Sequence, residues 1–146
     1  MTRREARIMA MQILYTSDLN KISIEEAINF FDETVVEQDS LDFVNYVANN
    51  LDKIDSIISA SLVNYTIDRL NLVDKAIVRL ATSELLAKTD KRIVINEALE
   101  ITKEFSDQGD HKAASFNNRL LERISKTIEE LKWLYGRALF NGNSFN

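Results

Sequence analysis

NLVDKAIVRLATSELL, residues 71–86, is the stretch whose reading decides the fold. Asn71 with Asp74 marks a helix start, because Asn caps helix N-termini and a carboxylate in the first turn meets the positive end of the helix dipole. Ala76, Ile77, Leu80, Ala81 and Leu85 then recur at spacings of three and four, the spacing of one helix face. The helix is expected to end near Leu86. Downstream, Lys88-Thr89-Asp90-Lys91 reads as a polar turn. Ile93-Val94-Ile95 has the composition of a short strand. Ala98, Ile101, Thr102 and Phe105 nevertheless continue at helical spacing, so the segment reads as entry to a helix. Ser106 to Ala114 is a polar loop carrying Gly109, and a last helix is expected from about Ser115 to Leu134.

Upstream, Thr2 and Glu5 match a capping box. They open a helix to about Asn20 that turns Ile8, Met9, Ile13 and Leu14 inward, with Ala6 and Ala10 permitting close packing. Ser23 and Glu26 form a second capping box for a short helix through about Phe31. Leu41, Val44, Val47, Leu51, Ile54 and Ile58 recur at helical spacing, with Asn49-Asn50 as a break and a further helix over Ile54 to Leu62. Proline is absent, and the glycines, Gly109, Gly136 and Gly142, all lie in the last third. Strand-rich domains need such residues at their turns. The expected fold is therefore all-α: about seven helices, those from Asn71, Ile93 and Ser115 forming one compact bundle and the N-terminal helices another packed unit. Residues 1–135 are expected to make one domain, and residues 136–146 a loosely ordered tail.

The 146-residue length and 45% hydrophobic content suit a single domain with a real core. With no cysteine and one histidine, His111, there is no disulfide framework, thiolate nucleophile or multi-histidine metal site. No signal-peptide stretch and no run of about 18 apolar residues stands out, which makes the cytoplasm the expected location. Net charge is −5, yet Lys21 to Asp55 alone carries nine acids against two lysines, −7, leaving +2 elsewhere. A local basic face is compatible with that asymmetry.

Arg3, Arg4 and Arg7 supply such a face. They sit in the first turns of the opening helix, where its dipole prefers acids. Helix-start N–H groups attract anions, and arginines beside them make a spot that suits phosphate. At about 100° per residue, Arg3 and Arg7 lie about 40° apart with Arg4 on the same side. The alternative is a solvated face balanced by Glu5. Phe105 and Phe116 flank the polar loop and can stack on unpaired bases, or serve as core residues. Asn117-Asn118 follow, able to cap the loop or to meet base edges. Glu97, Glu100 and Glu104 recur on one helix face but lack the Glu-x-x-His partner pattern of di-iron bundles, so they read as a solvated acidic face. His111 has no nucleophile motif beside it, and no Gly-rich phosphate loop occurs. Nothing in the residues points to an enzyme or to a cofactor.

Several segments together resemble one family. Arg3-Arg4-x-Ala6-Arg7 with Gln12-x-Leu14-Tyr15, then Ile54-Asp55-x-x-Ile58 and Asn64-Tyr65, precede Arg69-Leu70-x-x-Val73-Asp74-Lys75-Ala76-Ile77-Val78-Arg79-Leu80-Ala81 and Glu84-Leu85-Leu86. Val94-Ile95-Asn96-Glu97-Ala98 with Glu100-Ile101-x-Lys103-x-Phe105 is the most specific of them. In this order, across residues 3–122, they resemble the transcription antitermination factor NusB family. The resemblance implies two packed helical subdomains, a partner in the small-subunit ribosomal protein called NusE, and joint binding of single-stranded boxA RNA in nascent transcripts. Through the transcription elongation complex this supports ribosomal RNA synthesis.

By position, the resemblance assigns RNA contact to Arg3, Arg4 and Arg7. The surface would extend through Phe105, Phe116, Asn118 and Arg119, and partner contact falls to Tyr15 and Asp74. Where the family reads Phe-Val-Asn-Gly-Val-Leu, this chain has Phe116-Asn117-Asn118-Arg119-Leu120-Leu121, so Arg119 stands in place of a glycine. Arg119 can supply a further phosphate contact. The competing expectation is a helical protein-interaction module with no RNA role of its own, and an exposed apolar partner surface would let the chain form a homodimer when alone.

Overall fold

A computed structural model describes residues 1–136. The tail expected to be loosely ordered lies outside the described residues apart from Gly136. Among the described residues there are seven α-helices and no strand. They are α1 (Arg3–Asn20), α2 (Ile24–Ile28), α3 (Gln38–Asn49), α4 (Leu51–Ser61), α5 (Leu72–Leu86), α6 (Lys91–Phe105) and α7 (Lys112–Tyr135), with a 3₁₀ turn over Ile67–Arg69 before α5. The all-α expectation holds.

Local chemistry sets most of the boundaries. At α1, Thr2 Oγ1 accepts from the Glu5 N–H at 3.1 Å and Glu5 Oε2 accepts from the Thr2 N–H at 3.1 Å, the reciprocal capping box read from the sequence. Lys21 ends that helix in the left-handed region, φ 54°. At α2 the box is only half formed. The Ser23 hydroxyl caps Glu26 N–H, but the Glu26 carboxylate takes the hydroxyl proton instead of the Ser23 N–H. The helix stops at Ile28 rather than Phe31, and Phe30 and Phe31 continue only as i→i−3 turns. Asn50 makes the break between α3 and α4, its Nδ2 donating back to the Tyr46 carbonyl at 2.9 Å. Because that break sits at Asn50, α4 begins at Leu51, ahead of the expected Ile54. Asp90 caps the Arg92 N–H at 2.8 Å, which carries Ile93-Val94-Ile95 into α6 with Val94 and Ile95 buried.

α5 is the axle. It packs against α1, α3, α4, α6 and α7, and every residue from Ala76 to Glu84 is buried. A helix buried all round needs its polar side chains satisfied. Thr82 and Ser83 bond back to the Val78 and Leu80 carbonyls at 2.7 and 2.6 Å. On one side of this axle stand α1 and α3, with α2 laid on α1; on the other stand α6 and α7, with α4 reaching across to α7. These are the two packed helical subdomains, and a continuous core runs through both.

Ile58 on α4 is fully buried in that core. Ile58→Ala is expected to cost about 2–5 kcal/mol, transfer plus cavity. Urea unfolding measures it; a loss below about 1 kcal/mol would show that α4 is not packed into the common core.

Candidate nucleic-acid interface

The capped start of α1 presents the arginines in three different ways. Arg3 lies on the Phe43 ring, its guanidinium carbon 4.6 Å from the centroid, and reaches Asp39 only at 3.7 Å. Its side chain is 59% exposed. Arg4 donates from Nε to Glu97 Oε2 at 2.7 Å and keeps 48% of its side chain exposed. Arg7 turns inward. One full turn into the helix it meets α5, where Nε and Nη2 donate to the two Glu84 oxygens at 3.0 and 2.7 Å, and both side chains are about 5% exposed.

The placement of Arg7 corrects the expectation that all three arginines face a phosphate. Glu84 would be a buried carboxylate without compensation, and Arg7 is the cation that supplies it. The hydrogen bond to Glu84 raises the Arg7 guanidinium above its ordinary value, against the opposing effect of burial.

The acidic face of α6 is also not simply solvated. Glu97 is tucked against α1 at 19% side-chain exposure, while Glu100 pairs with Lys103 at 3.6 Å. Eight residues on, about 12 Å along the helix, Phe105 ends α6 with 38% exposure. Phe116 does not join it. It is half-buried, packed on the core and against Tyr65 at 5.5 Å between ring centroids, with Arg69 stacked over Tyr65 at 4.6 Å.

Asn118 and Arg119 are exposed, whereas Asn117 is fully buried. Its Nδ2 donates to Asp74 Oδ1 and to Thr102 Oγ1, both at 3.1 Å. Of the two adjacent amides, only Asn118 is exposed to solvent. The basic end (Arg3, Arg4) and the aromatic end at Phe105 thus lie apart on one molecule, with the Glu100 and Glu104 positions of α6 between them, and Asn118 and Arg119 are exposed on α7.

The loop before α7 is built on Asp107. Its Oδ1 accepts from the N–H groups of Gly109 at 2.8 Å and His111 at 3.1 Å. Burial pushes this carboxyl up. The N–H groups of Gly109, His111 and Ala114, together with the charge of His111, outweigh that and hold it below its ordinary value. Asp107 therefore does the capping that His111, in the left-handed region at φ 60°, does not, and α7 starts at Lys112 rather than Ser115.

The expected partner residues lie on different elements, Tyr15 on α1 and Asp74 at the start of α5 with its carboxylate turned toward α7. Tyr15 is partly buried against the core, and Asp18, three residues on, reaches Lys75 at 3.7 Å and Arg79 at 2.9 Å. Asp74, next to Lys75, is only 8% exposed. Its Oδ2 accepts from Asn71 Nδ2 at 2.7 Å and its N–H donates to Asn71 Oδ1 at 2.8 Å. With Oδ1 on Asn117, the carboxylate expected to face a partner is spent inside the fold.

A model described as the NusB family matches residues 4–126. The chain belongs to the NusB family. Two transcription antitermination proteins of that family are similar over most of both chains. The one from Clostridium botulinum is 40% identical, covering 86% of this chain and 99% of its own; the one from Bacillus subtilis is 38% identical, covering 89% and 99%. Among solved structures, T. maritima NusB is similar with a TM-score of 0.75 and 30% identity, covering 86% of this chain and 92% of its own. A structure of the antitermination factors NusB and NusE in complex with dsRNA is similar with a TM-score of 0.70 and 28% identity, covering 85% and 96%. The family's helical frame is therefore the frame on which these side chains stand.

Two outcomes test the site's supports. Arg7→Ala strands Glu84 and is expected to destabilise the fold by about 3–5 kcal/mol, whereas Arg7→Met with Glu84→Leu should be near neutral or stabilising; urea unfolding of both variants decides. For Asp107, a carboxylate held below its ordinary value contributes stability that is full above about pH 4 and is lost as pH falls through the lower folded value. Asp107→Asn should therefore melt below wild type at pH 7 and converge on it in acid. A constant gap from pH 7 to pH 2.5 would exclude the capping role of the ionised group.

Proposed function

We propose that the chain is a non-enzymatic, cytoplasmic RNA-binding antitermination factor. With the ribosomal protein NusE it binds boxA RNA and, in the transcription elongation complex, supports ribosomal RNA transcription. The observation that carries the reading is the pair of exposed arginines, Arg3 and Arg4, on a capped helix end of an otherwise acidic chain. Arg119, exposed and without an ion-pair partner among the described residues, adds a third cation about two turns into α7. Exposed Phe105 at the end of α6 and the exposed Asn118 amide on α7 supply a stacking face and a hydrogen-bonding group. Arg7 acts indirectly, by fixing α1. Tyr15 on α1 and the start of α5 around Asp74 form the partner surface. NusE and RNA held together give each weak surface the effective concentration of the other. The similarity to the solved complex of NusB and NusE with dsRNA supports both partners.

Fluorescence anisotropy tests this with a boxA-like strand, a scrambled strand and a duplex, each with and without NusE, across a salt series. Wild type should prefer the boxA-like strand, more so with NusE. Phosphate contacts by Arg3, Arg4 and Arg119 give a log–log salt slope no steeper than about −2, at roughly −0.7 per contact for single strands. Arg3→Ala with Arg4→Ala should weaken RNA binding at least about tenfold, flatten the slope toward about −0.7, and leave NusE binding intact. Equal, negligible binding of wild type to every strand in every condition would leave a helical protein-interaction module instead.

A further inference from the structure

Arg4 already has an anion. Its Nε donates to Glu97 Oε2 at 2.7 Å, across 93 residues of sequence and between two rigid helices. Glu97 keeps 19% of its side chain exposed, so its carboxylate is held at the surface edge rather than waving in solvent. The hydrogen bond to Glu97 and the charge of Glu97 are the leading causes that raise the Arg4 guanidinium above its ordinary value, with Glu100 and Glu104 adding to the same direction. Glu97 also lines an open depression with Asp90, Arg92, Ile93 and Asn96. A phosphate approaching Arg4 therefore meets a cation whose charge is locally balanced, and it must share the space with a row of carboxylates on α6.

We infer that Glu97 is an affinity-limiting residue of the RNA surface: it occupies Arg4 in the free protein, and an RNA phosphate binds Arg4 by displacing it. The inference rests on the RNA-binding reading above. Exchange of one anion for another returns little net free energy, because the displaced carboxylate stays within a few ångströms of the incoming phosphate and repels it. The same exchange weakens the salt dependence, since neutralising a phosphate at Arg4 re-exposes a negative charge that gathers its own counterions. Any strand is penalised in this way, whatever its sequence. Only a strand held also by other contacts, such as those on a second protein, overcomes the competition. Glu97 thus trades affinity for discrimination against RNA that engages the basic end alone.

Glu97→Gln keeps the size and the acceptor oxygen and removes the charge. The test is anisotropy with single-stranded RNA and the full chain, in wild type, Glu97→Gln, Arg4→Ala and the double variant, with thermal melts to confirm folding. Glu97→Gln is expected to bind roughly two- to five-fold tighter, from the usual strength of an exposed ion pair, with a salt slope steeper by up to about 0.7. In the Arg4→Ala background the same substitution should tighten binding far less, because its effect runs through Arg4. Equal tightening in both backgrounds would mean a general loss of negative charge and would overturn the inference, as would no change on Glu97→Gln. If Arg4→Ala weakens binding while Glu97→Gln changes nothing, the RNA-binding reading stands and the inference alone fails. If no variant binds any strand, with or without NusE, both fail.

Discussion

The buried ion pair between Arg7 and Glu84 is the constraint on which the functional end depends. α1 and α5 could slide or rotate on an apolar interface, since hydrophobic contact has no direction. A bidentate guanidinium–carboxylate pair has one good geometry. By clamping one turn of α1 to the last turns of α5, it sets which way the residues before it project. Arg3 and Arg4 then emerge on the outside, on either side of the seam, one toward α3 and one toward α6. The capping box at Thr2 finishes the job by holding the first turn closed against fraying.

An acidic chain presents a basic edge here by pairing part of its opposite charge locally. Arg79 is gripped by Asp18 and Asp55 at 2.9 and 2.8 Å, and Lys75 by Asp18, so the acids of the N-terminal half are partly neutralised within the fold. Of the acids of residues 21–55, Glu37 and Asp39 reach the start of α1, at 3.9 Å from the N-terminal amine and 3.7 Å from Arg3, and charges more than about 8 Å away are largely screened at physiological salt. What a phosphate feels near α1 is chiefly its immediate neighbours. Those neighbours are two exposed arginines and the carboxylates that contact them, Asp39 loosely and Glu97 closely.

Much of this was legible in the sequence because it is local. The capping pairs Thr2/Glu5 and Asn71/Asp74 and the three-and-four spacing of apolar residues are properties of a few consecutive residues. The misread boundaries have equally local causes. Glu26 chose a hydroxyl over an N–H, and α7 found its cap in Asp107, four residues before the N-cap position His111 and well ahead of the expected start at Ser115. The site was legible as a set of residue types but not as an arrangement. Whether an arginine at a helix start meets phosphate or carboxylate depends on what lies opposite, and Arg7 and Arg4 find their partners 77 and 93 residues away. The same holds for Asn117, whose amide looks like its neighbour's until Asp74 and Thr102 are brought beneath it.

That buried amide also bears on how two surfaces can work as one. Asn117 stands between Phe116 and Asn118 near the start of α7, and its hydrogen bond ends on Asp74 at the start of α5. The contact is fully buried, so the start of α7 and the start of α5 are fixed relative to each other and do not need a ligand to align them. Two sites on one rigid frame reinforce each other through effective concentration alone, provided their spacing is fixed when the ligand arrives. No shape change has to be invoked. The polar contacts inside this fold, Arg7 with Glu84 and Asn117 with Asp74, keep the basic end, the aromatic end and the α1/α5 seam in one register, and it is this register that a strand bridging two proteins would read.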